Sequence, residues 1–78
     1  MEVNNALSAV ELECASATSR YAPFNSAHEG YAVLLEEVDE LWDEVKKSPK
    51  KRDMAKMREE AIQVAAMAMR FLIDIFPE

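Results

Sequence analysis

Residues 31–45 read YAVLLEEVDELWDEV. Tyr31, Leu34, Leu35, Val38, Leu41, Trp42 and Val45 recur there at three- and four-residue spacing, which predicts a helix with one broad apolar face. Upstream, Ser26-Ala-His-Glu29 matches a capping box. The Ser26 hydroxyl accepts the Glu29 backbone N–H and the Glu29 carboxylate reaches back, so the helix starts there. It runs to about Lys47, where Lys46 and Lys47 suit the negative end of the helix dipole and Ser48-Pro49 stops it. Asp53 is the expected N-cap of a further helix reaching about Phe76, with Pro77 closing it. Its expected core face is Met57, Ala61, Val64, Ala65, Ala68, Phe71, Leu72 and Ile75. A first helix is expected from about Asn4 to Thr18, on a narrow stripe of Leu7, Val10, Cys14 and Ala17, and Pro23 separates it from the second.

The remaining composition agrees with an all-α fold. One glycine and three prolines in 78 residues leave helix favoured almost everywhere, and no segment alternates like a half-buried strand. Half the residues are apolar and 31% are charged, which excludes a disordered tail. The length admits one small domain and excludes doubly wound sheets and barrels. With Cys14 as the one cysteine, no intrachain disulfide can compensate a thin core; oligomerisation or a metal can. The net charge of −6 disfavours nucleic acid as a partner. The opening MEVNNALSAVELEC lacks the basic and apolar regions of a signal peptide. AIQVAAMAMRFLIDIF, interrupted by Gln63 and Arg70, is too short to span a bilayer. The expectation is a cytoplasmic protein with no membrane partner.

A short connection between two long helices predicts an antiparallel hairpin. With the turn centred near residue 50, Glu40 stands at the height of Glu60 and Glu37 at that of Gln63. Residues 36–44 hold six carboxylates: Glu36, Glu37, Asp39, Glu40, Asp43 and Glu44. Their pairs at three- and four-residue spacing repel by about 0.2–0.5 kcal/mol each. Lys46 and Lys47 relieve Asp43 and Glu44, whereas Glu36, Glu37, Asp39 and Glu40 have no basic neighbour on their own helix. Glu37, Glu40, Glu60 and Gln63 would form an oxygen cluster across two helices. Such ligands suit a hard cation such as Mg²⁺, which binds carboxylates and bridges to phosphate oxygens. A plainly solvated acidic face has the same charge pattern.

The phrases LLEEVDELWDEV, residues 34–45, and REEAIQVAAMAMRFL, residues 58–72, resemble the MazG-like all-α nucleotide pyrophosphohydrolases. That family carries Glu-x-x-Glu, a gap, then Glu-x-x-Asp. Here Glu37-Val-Asp-Glu40 matches the first half and, after 19 residues, Glu60-Ala-Ile-Gln63 occupies the second. The resemblance covers about residues 26–76. It implies helical bundles assembling as homodimers or homotetramers, and Mg²⁺-dependent (Mn²⁺-tolerant) hydrolysis of (d)NTP to (d)NMP and pyrophosphate. It implies Glu37, Glu40, Glu60 and Gln63 as metal ligands. Gln63 departs from the family aspartate: its amide oxygen can coordinate but brings no charge, and Glu36 and Glu59 are the adjacent carboxylates able to supply it. Under this reading Glu36 orients the attacking water and Lys56, one turn from Glu60, meets the phosphates.

His28 and Trp42 are further candidates for substrate contact, the first near a loop and the second, like Tyr31, able to stack on a base. A capping or surface histidine and a core tryptophan are the ordinary alternatives, and Tyr31, Met54, Met57, Met67 and Met69 read as packing. Cys14 reads as a small buried hydrophobe. The rival to the enzyme is a catalytically degenerate interaction module whose acidic face binds a basic partner; a purely structural helical oligomer is a third possibility.

Overall fold

A computed structural model describes residues 1–78. It contains three α-helices, α1 (Val3–Arg20), α2 (Ala27–Val45) and α3 (Met54–Ile75), with a 3-10 turn at Pro49–Lys51 and no strand. No helix is long and apolar enough to cross a membrane.

Each helix begins where a side-chain oxygen meets a free backbone N–H. Glu2 accepts from Asn4, Ser26 from Glu29 at 3.1 Å, and Asp53 from Lys56 at 3.1 Å. The return arm of the Ser26 box differs from expectation. Glu29 reaches one residue further, taking the Asn25 backbone N–H at 3.0 Å and its amide nitrogen at 3.2 Å. α2 ends at Val45, two residues early, because Arg52 and Glu44 close the turn. The Arg52 guanidinium donates to the Val45 carbonyl at 2.7 and 3.1 Å, and Glu44 accepts the Asp53 backbone N–H at 2.6 Å.

The antiparallel hairpin is present. Gly30 at the start of α2 lies against Phe71 near the end of α3, so closely that a Cβ there would stand 2.7 Å from the ring. α3 packs on both α1 and α2, which do not pack on each other. The core, correspondingly thin, is Cys14, Ala17, Phe24, Ala66 and Met67, flanked by Val10, Val33, Leu34, Met69, Phe71 and Ile75. Cys14 packs there as a free thiol.

The central position of α3 corrects its expected core face. Ala66, Met67 and Arg70 are buried, while Ala61, Ala65 and Leu72 are exposed, because the helix serves two neighbours. On α2, Leu34, Leu41 and Val45 turn inward, but Tyr31, Leu35, Val38 and Trp42 face outward. The reading of Tyr31 and Trp42 as core is therefore overturned, as it is for Leu7 on α1 and Met54 on α3.

Arg70 is the unanticipated interior group. Its guanidinium lies 4.6 Å over the Phe24 ring, donates to the Ala22 carbonyl at 2.9 Å and stands 3.8 Å from Asp74. Asp74 in turn accepts the Phe24 backbone N–H at 3.0 Å, so this pair fastens the α1–α2 connection onto α3.

Candidate metal centre

Glu37 and Glu40 sit one turn apart on α2, and the hairpin brings Glu60 of α3 to the same height. Carboxylate oxygens of the three lie within 4.8 Å of one another. Glu37 and Glu60 are half-buried and Glu40 is exposed, so the cluster opens outward through Glu40. The Oε2 atoms of Glu37 and Glu60 are each buried without a hydrogen-bond partner. Unpartnered buried carboxylate oxygens are costly. The cost shows in their acidity. Burial, first, and then the neighbouring Glu40 charge raise Glu37 from 4.5 to about 7. Burial, followed by a hydrogen bond shared with Glu40, raises Glu60 in the same direction.

Two agents relieve such a group: a proton shared between carboxylates, or a cation. The donors are hard oxygens only, the set preferred by Mg²⁺ and Mn²⁺ over softer metals. Three carboxylates converging with open solvent on one side fit an ion that keeps part of its water shell.

Cavities flank the cluster on two sides. One, of about 420 Å³, is the groove left where α1 and α2 fail to meet above α3. Glu36, Glu37 and Gln63 line it, with Glu13, Arg20 and Tyr21 opposite and Met67 and Arg70 beneath. Gln63 also borders a shallower depression with Glu13, Arg58 and Glu59. The other cavity, of about 360 Å³, is wholly polar, lined by Glu40, Asp43, Glu44, Lys47, Lys56 and Glu60.

The structure thus gathers Glu37, Glu40 and Glu60, sets Glu36 and Gln63 on the groove side, and sets Lys56 on the polar side. His28, in the exposed first turn of α2, and Trp42, 58% exposed, line neither cavity. Within the acidic run, Glu44 is occupied elsewhere. It is 2% exposed, with Oε2 taking Lys47 Nζ at 2.8 Å and Oε1 the Asp53 N–H. The Lys47 bond, then the Asp53 bond, hold its carboxyl below the usual range. Sequence reasoning did not find Glu13, Arg20 and Tyr21 as groove walls. The available signal was weak: Glu13 and Arg20 stand about two turns apart beside the Cys14/Ala17 stripe.

The chain matches no protein-family model, no curated protein and no solved structure. The reading of this centre therefore rests on its own chemistry.

Proposed function

We propose that this chain is a Mg²⁺-dependent nucleoside triphosphate pyrophosphohydrolase, converting (d)NTP and water to (d)NMP and pyrophosphate, and working in the cytoplasm as a homo-oligomer. One observation carries the reading: three carboxylates from two helices converge within 4.8 Å, and two of their buried oxygens have no partner. The resemblance of the Glu37–Glu40 and Glu60–Gln63 spacing to the MazG-like signature supports it.

Glu37, Glu40 and Glu60 would hold the cation, with Mn²⁺ as a substitute for Mg²⁺, and Gln63 would add a neutral oxygen. When bound, the ion neutralises triphosphate oxygens and stabilises charge developing at the attacked phosphorus. The chain's own groups do the rest. Glu36, exposed on the groove wall, orients a water toward the α-phosphorus and takes its proton; the bond to the bridging oxygen breaks, and pyrophosphate departs. Lys56 and Lys47 line the polar cavity beside the cluster and attract the phosphate chain. The groove between α1 and α2 offers Tyr21, Arg20 and the Gln63 amide to the nucleoside. His28 and Trp42 line neither cavity and take no part in this arrangement.

The neutral Gln63 favours a second reading, a degenerate module whose acidic face binds a basic partner. Incubation with a panel of (d)NTPs and Mg²⁺, following pyrophosphate release, separates the two. The proposal expects release that Glu37→Ala abolishes. Silence across the whole panel contradicts hydrolysis and leaves the module.

A further inference from the structure

Arg70 is a buried cation most of whose hydrogen bonds are unmade. It is 3% exposed, yet it forms part of the floor of the groove between α1 and α2. A guanidinium carries five N–H donors and accepts nothing. Nη2 meets the Ala22 carbonyl at 2.9 Å. Nη1 reaches only the Met67 sulfur, a weak acceptor, at 3.9 Å. Asp74, at 3.8 Å, lies beyond hydrogen-bond distance, and its Oδ2 already accepts the Phe24 backbone N–H. Nε donates to no protein group. Fastening the α1–α2 connection therefore uses one strong donor and leaves the rest of the fork without acceptors. A buried charge in that condition is costly, and an acceptor entering the groove would relieve it.

The groove decides which acceptor that is. Four carboxylates, Glu13, Glu29, Glu36 and Glu37, stand around it against two cations, Arg20 and Arg70. Their surplus disfavours a further anion at Arg70 and leaves a neutral acceptor. The remaining wall is apolar, made by Ala17, Phe24, Val33 and Met67. The guanidinium carbon stands 4.6 Å over the Phe24 ring, so a flat ligand meets an aromatic surface and the donors together. Neutral, flat and edged with acceptors describes a heterocyclic base. We propose that Arg70 donates to the ring carbonyl of a nucleobase, so that the groove selects 6-oxopurine and 4-oxopyrimidine nucleotides over their amino counterparts.

The position of Arg70 along α3 suits this role. It stands ten residues, about 15 Å, beyond Glu60. With the phosphates at the carboxylate cluster, the base edge remote from the sugar is the one that meets it. That edge carries O6 and N7 in guanine and hypoxanthine, the pair a guanidinium fork takes best, and O4 in uracil and thymine. Adenine and cytosine place an amino group there instead. N–H would then face N–H, and a site built to hydrogen-bond one group rejects the analogue that lacks it. Cytosine's own carbonyl adjoins the sugar bond, away from Arg70. The selection rests on the nucleotide reading above and names its substrates.

A ligand series that changes only the base tests this on the intact protein. Calorimetric titration of the full chain with Mg²⁺ present compares the monophosphates of inosine, purine riboside and adenosine, which carry oxygen, hydrogen and an amino group at position 6. The inosine compound is expected to bind at least about 10-fold tighter than either of the others. Uridine monophosphate should exceed cytidine monophosphate likewise. Arg70→Met removes the donors and is expected to bring every ratio to within about twofold. Circular dichroism checks that this variant folds; where it does not, the ligand series alone decides. Equal binding of the inosine and adenosine compounds overturns the proposal. So does preference for the amino bases, undetectable binding of all five at millimolar concentration, or selectivity unchanged in folded Arg70→Met. Hydrolysis fails separately. Pyrophosphate release from ATP and CTP as fast as from GTP and UTP removes the selection and leaves the enzyme, whereas selective binding without turnover does the reverse.

Discussion

Glu37 and Glu44 stand two turns apart on α2, and folding moves their acidities in opposite directions. For Glu37 the folded carboxyl is raised from 4.5 to about 7, so ionising it opposes folding. The opposition is absent below pH 4.5, grows between 4.5 and 7, and is complete above 7. Metal-free protein should therefore lose stability as pH rises through that window, and Glu37→Gln should make the loss smaller, the raised Glu60 keeping its own share. Urea unfolding of both proteins at pH 5 and pH 8 checks this; equal pH dependence in the two would contradict it. Glu44, held below the usual range by Lys47 and Asp53, contributes stability that is present above its unfolded value and lost as pH falls through the lower folded one. Glu44→Ala should lower the Tm at pH 7 and change little once the solution is acidic enough to protonate the native carboxyl.

At the scale of elements, the turn and the helix crossings hold the two halves of the cluster at one height. Gly30→Ala tests the α2–α3 crossing. A methyl there would lie 2.7 Å from Phe71 and 3.0 Å from Phe24, both rings packed in or against the core. Overpacking costs about 1–3 kcal/mol, against about 1 kcal/mol gained in helix propensity. A net loss of about 1 kcal/mol is expected, some 4–8 °C in Tm for a chain of this size. Ser26→Ala should cost a similar amount by removing the cap of α2. These elements were legible beforehand because their signals are local: Ser26 with Glu29, Asp53, and Pro49 each act within a turn of themselves. The height match of Glu40 with Glu60 followed from the short connection alone. What stayed hidden depends on a third body. The burial of Ala66, Met67 and Arg70 follows from α1 covering α3, and the outward turn of Tyr31 and Trp42 follows from α2 having one neighbour. Periodicity locates a stripe but not which of two apolar faces meets the core. Glu44 was likewise unreadable within an acidic run, since its partner N–H lies across the turn at Asp53.

At the scale of the whole molecule, a chain with five buried apolar residues keeps one buried oxygen of each of two half-buried carboxylates, Glu37 and Glu60, without a hydrogen-bond partner. Such an arrangement disfavours the isolated fold and is relieved by whatever neutralises it. A cation bound to the folded state and not to the unfolded one raises stability by mass action. Thermal melting at pH 8, with and without millimolar Mg²⁺ or Mn²⁺, tests this most directly, because it asks for binding whether or not turnover follows. The account predicts a Tm several degrees higher with metal and no rise in Glu40→Gln; melts that coincide with and without metal would contradict it.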